Sequence, residues 1–286
     1  MELFYYHHVN GNVGDDLNPW LWPKVFGPDF FQPGPQEHVF FGIGSILTSG
    51  EMGSRKRYTI FGTGARSFFR KIKLDGREFD IRFVRGPLTS SKCGDSAWIT
   101  DSAAIVPRYF TPPERTARKR IGFVPYYKTP QNFVDLFCER LGMYHLSPKL
   151  GVEEFINGLC SCDEIVAEAM HGAILADAYR IPWRAVRLTA PIHEGLTALF
   201  KWSDWLKSLN ICKEAVDPYP LISLLPNRAR SPFLESYVER RIEKYARAFQ
   251  PGRGFLSDSC RLQNAQDRIE DEARKLILDK KLQQPQ

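Results

Sequence analysis

Short apolar runs alternate with turn residues and short helical stretches through the first third of the chain. The runs occupy residues 3–6, 39–41, 58–61, 81–84 and 97–100. Runs of this length, separated by segments of helical character, are typical of strands in a parallel sheet. The pattern predicts an α/β unit over residues 1–112.

A second alternating pattern follows a segment rich in proline and charge, residues 107–120, which is typical of an interdomain linker. It contains predicted strands at residues 121–124, 164–167 and 184–188, a predicted helix over residues 131–141, and another helix beginning near His171. We therefore expect a second doubly wound α/β unit over residues 118–215, with a ligand cleft between the two units.

The last part of the chain, residues 216–286, is predicted to be a helical extension. Residues 232–249 carry apolar side chains on one helical face and mixed acids and bases elsewhere. Packing of that face on the body of the protein is the favoured interpretation, and binding to a membrane surface is the alternative.

Glycines or single polar residues follow the predicted strands of the first unit directly. Gly14 and Asp15 follow the first run, Gly44 and Ser45 the second, and Gly64 the third. Glycines at strand ends let backbone N–H groups approach an anion closely. The segments lack the Lys-Ser/Thr of a Walker motif and the third glycine of a dinucleotide fingerprint, so they predict only a phosphate- or carboxylate-binding site.

His171 and Arg85 are the two strongest candidates for chemistry. His171 and Gly172 stand at a sharp turn between a predicted strand and a helix, where an imidazole can donate a proton or bind an anion. The alternative is a histidine that caps the helix or fills the cleft wall. Arg85 follows a strand and precedes Gly-Pro, which suits a clamp on carboxylate or phosphate, although surface arginines are common.

Three further side chains are secondary candidates. Lys201 lies in a helix with two tryptophans, which are themselves predicted to be buried in the core. His8 follows the first strand and faces the predicted cleft, and Glu194 lies in a loop that can close over it. Among the nearby carboxylates, Glu194 is the best candidate acid or base.

Charge and cysteine usage narrow the choice of partners. The formal charge of +6 and pI near 9.0 favour anionic partners. Nucleic acid is not expected, because the basic residues are spread along the chain and PERTARKR is the only dense cluster. The six cysteines lack paired CxxC spacing, so we expect reduced thiols and no metal site.

The location is expected to be cytoplasmic. No apolar run approaches the roughly 20 residues that span a bilayer, and the first residues lack a cationic leader and a cleavage site.

The motifs together resemble one family, the polysaccharide pyruvyl transferases. In order along the chain they are NGNVGDDLNPWLW, FFGIGS, FGTG, VRGPLT, TDSA, MHGAILADAYRIP and FKWSDWL. The family's usual arginine-leucine before the histidine is Ala169-Met170 here, so any anion contact of that arginine is lost or comes from another residue.

The resemblance implies two Rossmann-like domains arranged as in GT-B glycosyltransferases, the first on the acceptor side and the second on the donor side. It implies phosphoenolpyruvate as donor, a sugar of a lipid-linked oligosaccharide as acceptor, a pyruvate ketal as product, and no cofactor. An enzyme with these substrates would work at the inner face of the membrane. It would contact the membrane either directly, as a peripheral protein, or only through the lipid-linked substrate.

Under this interpretation His171 is the general acid or a contact to the donor anion. Arg85 and Lys201 hold anionic groups of the donor. Asp15 orients acceptor hydroxyls or, with slight preference, caps the first helix.

Two other functions fit the same residues. A nucleotide-sugar glycosyltransferase of the same architecture could hold a nucleotide diphosphate in the cleft. A noncatalytic module could attach an exopolysaccharide complex to the inner membrane through its basic surface and the helix near residues 234–249.

Overall fold

The first half of the chain forms a four-stranded parallel sheet with the strands in sequence order. The computed structural model describes residues 1–74, 76–114, 119–189, 194–212 and 232–282. The strands are β1 (Glu2–Phe4), β2 (His38–Phe41), β3 (Arg57–Phe61) and β4 (Glu78–Phe83). The predicted fifth strand at residues 97–100 is wrong, since only Trp98 forms a single bridge, to Val84.

Helix α1 (Val13–Phe26) packs on this sheet, because Leu17, Leu21 and Trp22 are fully buried on one side of it. Two short helices, α2 (Ser49–Met52) and α3 (Pro87–Ser90), follow strands β2 and β4. Two 3-10 helices, Pro28–Phe30 and Ser102–Arg108, complete this half.

The second half forms another four-stranded parallel sheet, in the order β6–β5–β7–β8. Its strands are β5 (Lys119–Val124), β6 (Tyr144–His145), β7 (Cys162–Ala167) and β8 (Trp183–Ala185), and its helices are α4 (Gln131–Leu141), α5 (Val152–Cys160) and α6 (Met170–Ala178). The strand order reverses at β5 and β7, and a ligand crevice forms at such a point in open α/β sheets. The predicted helix over residues 131–141 is confirmed.

Three longer helices lie nearer the C-terminus: α7 (Leu196–Ser208), α8 (Pro232–Ala248) and α9 (Ser259–Leu282). Helix α8 buries Val238 and Ile242 in a cluster with Phe137 of α4, so packing on the body of the protein is confirmed for this helix. Helix α9 returns to the first half, where Asp267 and Glu270 pair with Arg108. None of the helices in the described ranges is long and apolar enough to cross a membrane.

One hydrophobic cluster spans the two sheets. The largest cluster of buried side chains includes Trp22 and Phe61 of the first half and Ile165 and Leu175 of the second. Helix α6 also packs against the 3-10 helix Ser102–Arg108. The shared cluster therefore fixes the carboxyl ends of the two sheets relative to each other. Part of the predicted linker and the predicted boundary near residue 216 lie outside the described residues.

Candidate functional site

A cleft of about 310 Å³ opens where the carboxyl ends of both sheets meet. Segments that follow β1, β2, β3, β5, β6 and β7 line it, together with residues from α1, α6 and α7. It brings together eight residues singled out in the sequence: His8, Gly14, Asp15, Gly44, Ser45, His171, Glu194 and Lys201. The cleft is thus built from both halves of the chain.

His171 lies in the cleft wall at the first turn of α6, with Asp101 behind it. Its Nε2 atom is 3.8 Å from Oδ2 of Asp101, and within the described ranges both atoms are buried without a hydrogen-bond partner. The other oxygen of Asp101 accepts the Ala103 N–H at 3.0 Å, which fixes the carboxylate at the start of the 3-10 helix. Buried polar atoms without partners are uncommon and point to a functional role.

Gly14 lets helix α1 approach the ring of His171. A Cβ atom on residue 14 would lie 2.1 Å from Nδ1 of His171, far inside van der Waals contact. Residue 14 must therefore be glycine if the His171 ring is to keep this position. Nδ1 of His171 lies over the α1 backbone at the edge of the cleft. This is a packing role for Gly14 in addition to any contact with substrate.

Burial lowers the pKa of His171, and this effect outweighs the nearby carboxylates of Asp101 and Asp15, which raise the same pKa. Because the ordinary pKa is 6.5, the imidazole is neutral at neutral pH in the free protein. A ligand that brings negative charge into the cleft will raise the pKa and favour the protonated ring.

Asp15 faces the cleft and pairs with His8. Its Oδ2 atom is 3.0 Å from Nε2 of His8 and accepts from the side-chain amide of Asn12 at 2.5 Å. The backbone N–H of Asn12 is instead bonded by Asp16, at 2.9 Å. The slight preference for Asp15 as the helix cap is therefore corrected: Asp16 makes that bond, and Asp15 is directed to the cleft.

Two cations line the cleft in different ways. The Nζ atom of Lys201 lies 2.6 Å from Oε1 of Glu194, so these two predicted site residues form an ion pair with each other. Arg66 follows β3 and lies with its guanidinium 5.1 Å from the ring centre of Tyr6. Sequence reasoning missed Arg66, although it stands two residues after Gly64 in the segment that follows the strand.

Arg85 lies behind the cleft wall, so the expectation of a direct substrate clamp is corrected. Its side chain is fully buried; Nε is 3.1 Å from Oδ2 of Asp204, and Nη1 donates to Ser45 Oγ at 2.7 Å. Asp204 also accepts the backbone N–H groups of Leu88 and Thr89 at the start of α3. The guanidinium thus supports Ser45, which does line the cleft.

Two of the glycines predicted to bind substrate, Gly64 and Gly172, instead allow close packing of neighbouring side chains. A Cβ atom on Gly64 would lie 2.2 Å from Cζ of Arg85, and one on Gly172 would lie 2.8 Å from Cγ1 of Val124. Neither residue lines the cleft. Gly44 does line it and has φ +124°, a conformation that favours glycine.

Glu168 holds the loops of the second sheet together. Its buried carboxylate accepts from the Tyr126 N–H at 3.0 Å, the Thr129 hydroxyl at 2.6 Å and the Leu188 N–H at 2.9 Å. Hydrogen bonds to the Glu168 carboxylate therefore hold the segments after β5, β7 and β8 together. Only its place at the end of a predicted strand distinguishes this residue in the sequence.

The start of α6 is open to an anion. The helix has no side-chain cap and no acidic residue in its first turn. The Gly172 N–H donates to the Ala169 carbonyl at 3.0 Å, and the N–H groups before it are ones that a helix leaves without an intrahelical partner. The helix dipole adds positive potential at this end. In the part of the chain that the structure describes, no group of three His, Cys, Asp or Glu side chains could hold a metal ion.

Comparison with known proteins agrees with the motifs. The family described as polysaccharide pyruvyl transferase matches residues 15–188. The succinoglycan biosynthesis protein ExoV of Rhizobium meliloti (strain 1021) is 34% identical over 221 residues, which cover 74% of this chain and 66% of that relative. No solved structure matches. On the matched segment, which contains the cleft residues from Asp15 to His171, the chain belongs to the polysaccharide pyruvyl transferase family.

Proposed function

We propose that the protein transfers the pyruvyl group of phosphoenolpyruvate onto a sugar of a lipid-linked oligosaccharide during exopolysaccharide biosynthesis. The product is a cyclic pyruvate ketal on two hydroxyls of one sugar. The observation that carries the proposal is the Nε2 atom of His171, which within the described ranges is buried without a hydrogen-bond partner, beside the uncapped start of α6 in a family named for pyruvyl transfer. The two-sheet arrangement supports a GT-B-like fold of two Rossmann-like domains, and we propose that the reaction occurs at the inner face of the membrane.

The donor suits the charges of the cleft. Phosphoenolpyruvate carries a carboxylate and a phosphate, which match the open start of α6 and the guanidinium of Arg66. Arg66 is our candidate for the cation that the family supplies before the histidine, where this chain has Ala169. Lys201 becomes a further anion contact when its ion pair with Glu194 opens.

His171 supplies the proton. The negative charge of the donor raises its pKa, so that the ring is protonated when phosphoenolpyruvate is bound. Transfer of that proton to the methylene carbon forms the methyl group and leaves a cationic C2. One sugar hydroxyl attacks C2 and loses its proton, and the C–O bond to phosphate breaks. The second hydroxyl then closes the ketal.

The acceptor suits the part of the cleft that lies beside Asp15 and His8. Asp15 and His8, 3.0 Å apart, are placed to orient the hydroxyls and accept their protons. Glu194 is a second candidate base once it is released from Lys201. The ring of Tyr127 also lines the cleft, and aromatic faces stack on sugar rings, whereas Trp202 is buried in the core as its sequence context predicts.

The test is an assay of phosphate release and of ketal formation, by mass spectrometry, with phosphoenolpyruvate and an oligosaccharide acceptor. We expect His171→Gln to lower turnover roughly 10²- to 10⁴-fold, because general acid catalysis contributes about that much. The matched control is His145→Gln, in strand β6 and outside the cleft lining, which should keep normal turnover.

Either of two results would overturn the proposal. One is near-normal ketal formation by a folded His171→Gln variant. The other is saturable binding of a nucleotide sugar with no binding of phosphoenolpyruvate, which would assign the protein to the nucleotide-sugar glycosyltransferases.

A further inference from the structure

We infer that residues 66–73, here called the basic loop, together with Leu196 form a surface that docks on an anionic lipid leaflet next to the cleft. The inference rests on the proposed function, since a lipid-linked acceptor would be presented to the cleft from such a leaflet. It places membrane contact on a different part of the molecule from helix α8.

The basic loop is a second dense cluster of positive charge besides PERTARKR, so the expectation of a single dense cluster is wrong. It contains Arg66, Arg70, Lys71 and Lys73 and no acidic residue. The last three are exposed, and no ion pair joins any of the four to a carboxylate in the described ranges. Some exposed cations elsewhere on the described surface are paired, as Lys56 is with Glu37 at 2.7 Å. Within the described residues, the loop therefore carries positive charge that no ion pair offsets.

The same loop exposes apolar side chains. Phe69 is 81% exposed and Leu196, at the start of α7, is 48% exposed. Both line a groove of about 610 Å³ that also contains Arg66. Because Arg66 lines the cleft as well, the groove and the cleft are neighbours. A bound leaflet would therefore lie at the side of the cleft.

The loop has a defined position. The Ile72 N–H donates to the Lys92 carbonyl at 3.1 Å, and the Lys92 ammonium donates to the Phe68 carbonyl. These bonds hold Phe69 at the outer turn of the loop. An exposed aromatic ring among cations is thus presented outwards by the fold.

A lipid leaflet fits this combination better than the other anionic partners. Exposed cations bind anionic headgroups, while Phe and Leu side chains enter the boundary with the acyl chains. Nucleic acid would use the cations and the aromatic ring, but it offers no apolar environment for Leu196. Helix α8 is the weaker candidate, since Val238 and Ile242 of its apolar face are buried against α4.

The test is flotation with vesicles of phosphatidylcholine alone and of phosphatidylcholine mixed with phosphatidylglycerol. Wild type should bind the anionic vesicles more tightly, and salt should weaken the binding. A triple variant, Arg70→Gln with Lys71→Gln and Lys73→Gln, should lose on the order of 100-fold in partitioning, about fivefold per cation. Phe69→Ser should lose about tenfold.

The matched control is Lys281→Gln with Leu282→Ser, which removes an exposed cation and an exposed apolar side chain at the end of α9. Leu282 lies by the amino-terminal ends of the first sheet's strands, opposite the basic loop, so this variant should bind vesicles as wild type does. Equal loss in the control and the triple variant would overturn the inference. So would tighter binding of wild type to single-stranded RNA than to anionic vesicles.

Turnover separates this inference from the proposed function. With a water-soluble acceptor fragment, the triple variant and Phe69→Ser should keep wild-type turnover, while turnover of a vesicle-borne acceptor should fall in step with binding. Vesicle binding that depends on the loop, with no turnover on any acceptor, would support docking and contradict the proposed function. Normal turnover by wild type without vesicle binding would support the proposed function and contradict docking.

Discussion

Two pairs of ionisable side chains lie at the carboxyl ends of the strands, and they differ in how fully their polar atoms are hydrogen-bonded. Arg85 and Asp204 are fully buried and bonded to each other, and each has further partners in Ser45 or the start of α3. Asp101 and His171 approach to only 3.8 Å and leave one atom each without a partner in the described ranges.

The difference distinguishes a pair that stabilises the fold from a pair that is suited to the reaction. A satisfied buried pair resists movement, and breaking it is costly. An imidazole at the cleft whose proton is not held by a hydrogen bond to its neighbour is suited to moving a proton. The comparison assigns Arg85 to the supporting structure and His171 to the reaction, although both follow a strand.

The largest expected effect is on stability, from Asp204→Ala. This change leaves the Arg85 guanidinium buried without its carboxylate and should lower the free energy of unfolding by about 3–5 kcal/mol. Urea denaturation measures it. The control is Asp267→Ala, which removes a half-exposed partner of Arg108 and should cost about 1 kcal/mol or less. Equal losses in the two variants would remove the distinction between the pairs.

Gly14→Ala should act mainly on turnover. The added Cβ would overlap Nδ1 of His171 and push the ring away, and a displacement of about 1 Å can cost 10²-fold in rate. The control is Gly151→Ala, because a Cβ there meets no atom within 4 Å. Steady-state kinetics together with thermal melting compare the two. Wild-type turnover by Gly14→Ala would show that the position of the ring is unimportant.

Asp101→Asn should lower turnover roughly tenfold to a hundredfold, less than loss of His171 itself. The asparagine can still accept the Ala103 N–H, so the 3-10 helix should keep its start. The Asp101 carboxylate raises the pKa of His171, and its removal should move the ionisation of the histidine to lower pH. The pH dependence of kcat/KM measures this shift. An unchanged profile would exclude Asp101 as a positioning residue.

The smallest effect concerns His38, a histidine with a partner outside the cleft. Its ring bonds Thr59 Oγ1 at 2.9 Å, and burial, with Arg57 nearby, lowers its pKa to about 4. Between the ordinary 6.5 and about 4 the unfolded chain binds more protons, so the free energy of unfolding falls as pH falls through this range. His38→Gln should flatten that dependence, measured by urea unfolding, and leave turnover unchanged. A steeper dependence would contradict the sign.

Local pattern was enough to predict most elements and part of the site. The apolar runs predicted strands of both sheets, because a buried strand appears in the sequence as a short run of apolar residues. His171 was placed correctly at a strand-to-helix turn for the same reason. The wrong strand at residues 97–100 is apolar but makes only one bridge, at the edge of the first sheet.

Partners that are distant in the chain could not be predicted. Arg85 has the sequence context of a clamp, and only the packing of α7 brings Asp204 onto it, 119 residues away. Asp101 meets His171 because α6 packs on the 3-10 helix Ser102–Arg108. The motif TDSA carried a signal for Asp101, but its position beside the histidine depends on how the two halves meet.

Calorimetric titration of phosphoenolpyruvate at neutral pH, in buffers of different ionisation enthalpy, measures whether His171 takes up a proton when the donor binds. His171 is neutral in the free protein and becomes protonated as the donor binds, so wild type should bind with uptake of up to one proton. His171→Gln should bind the donor more weakly and without that uptake. Binding by wild type that is independent of buffer, or no binding of phosphoenolpyruvate at all, would contradict the account.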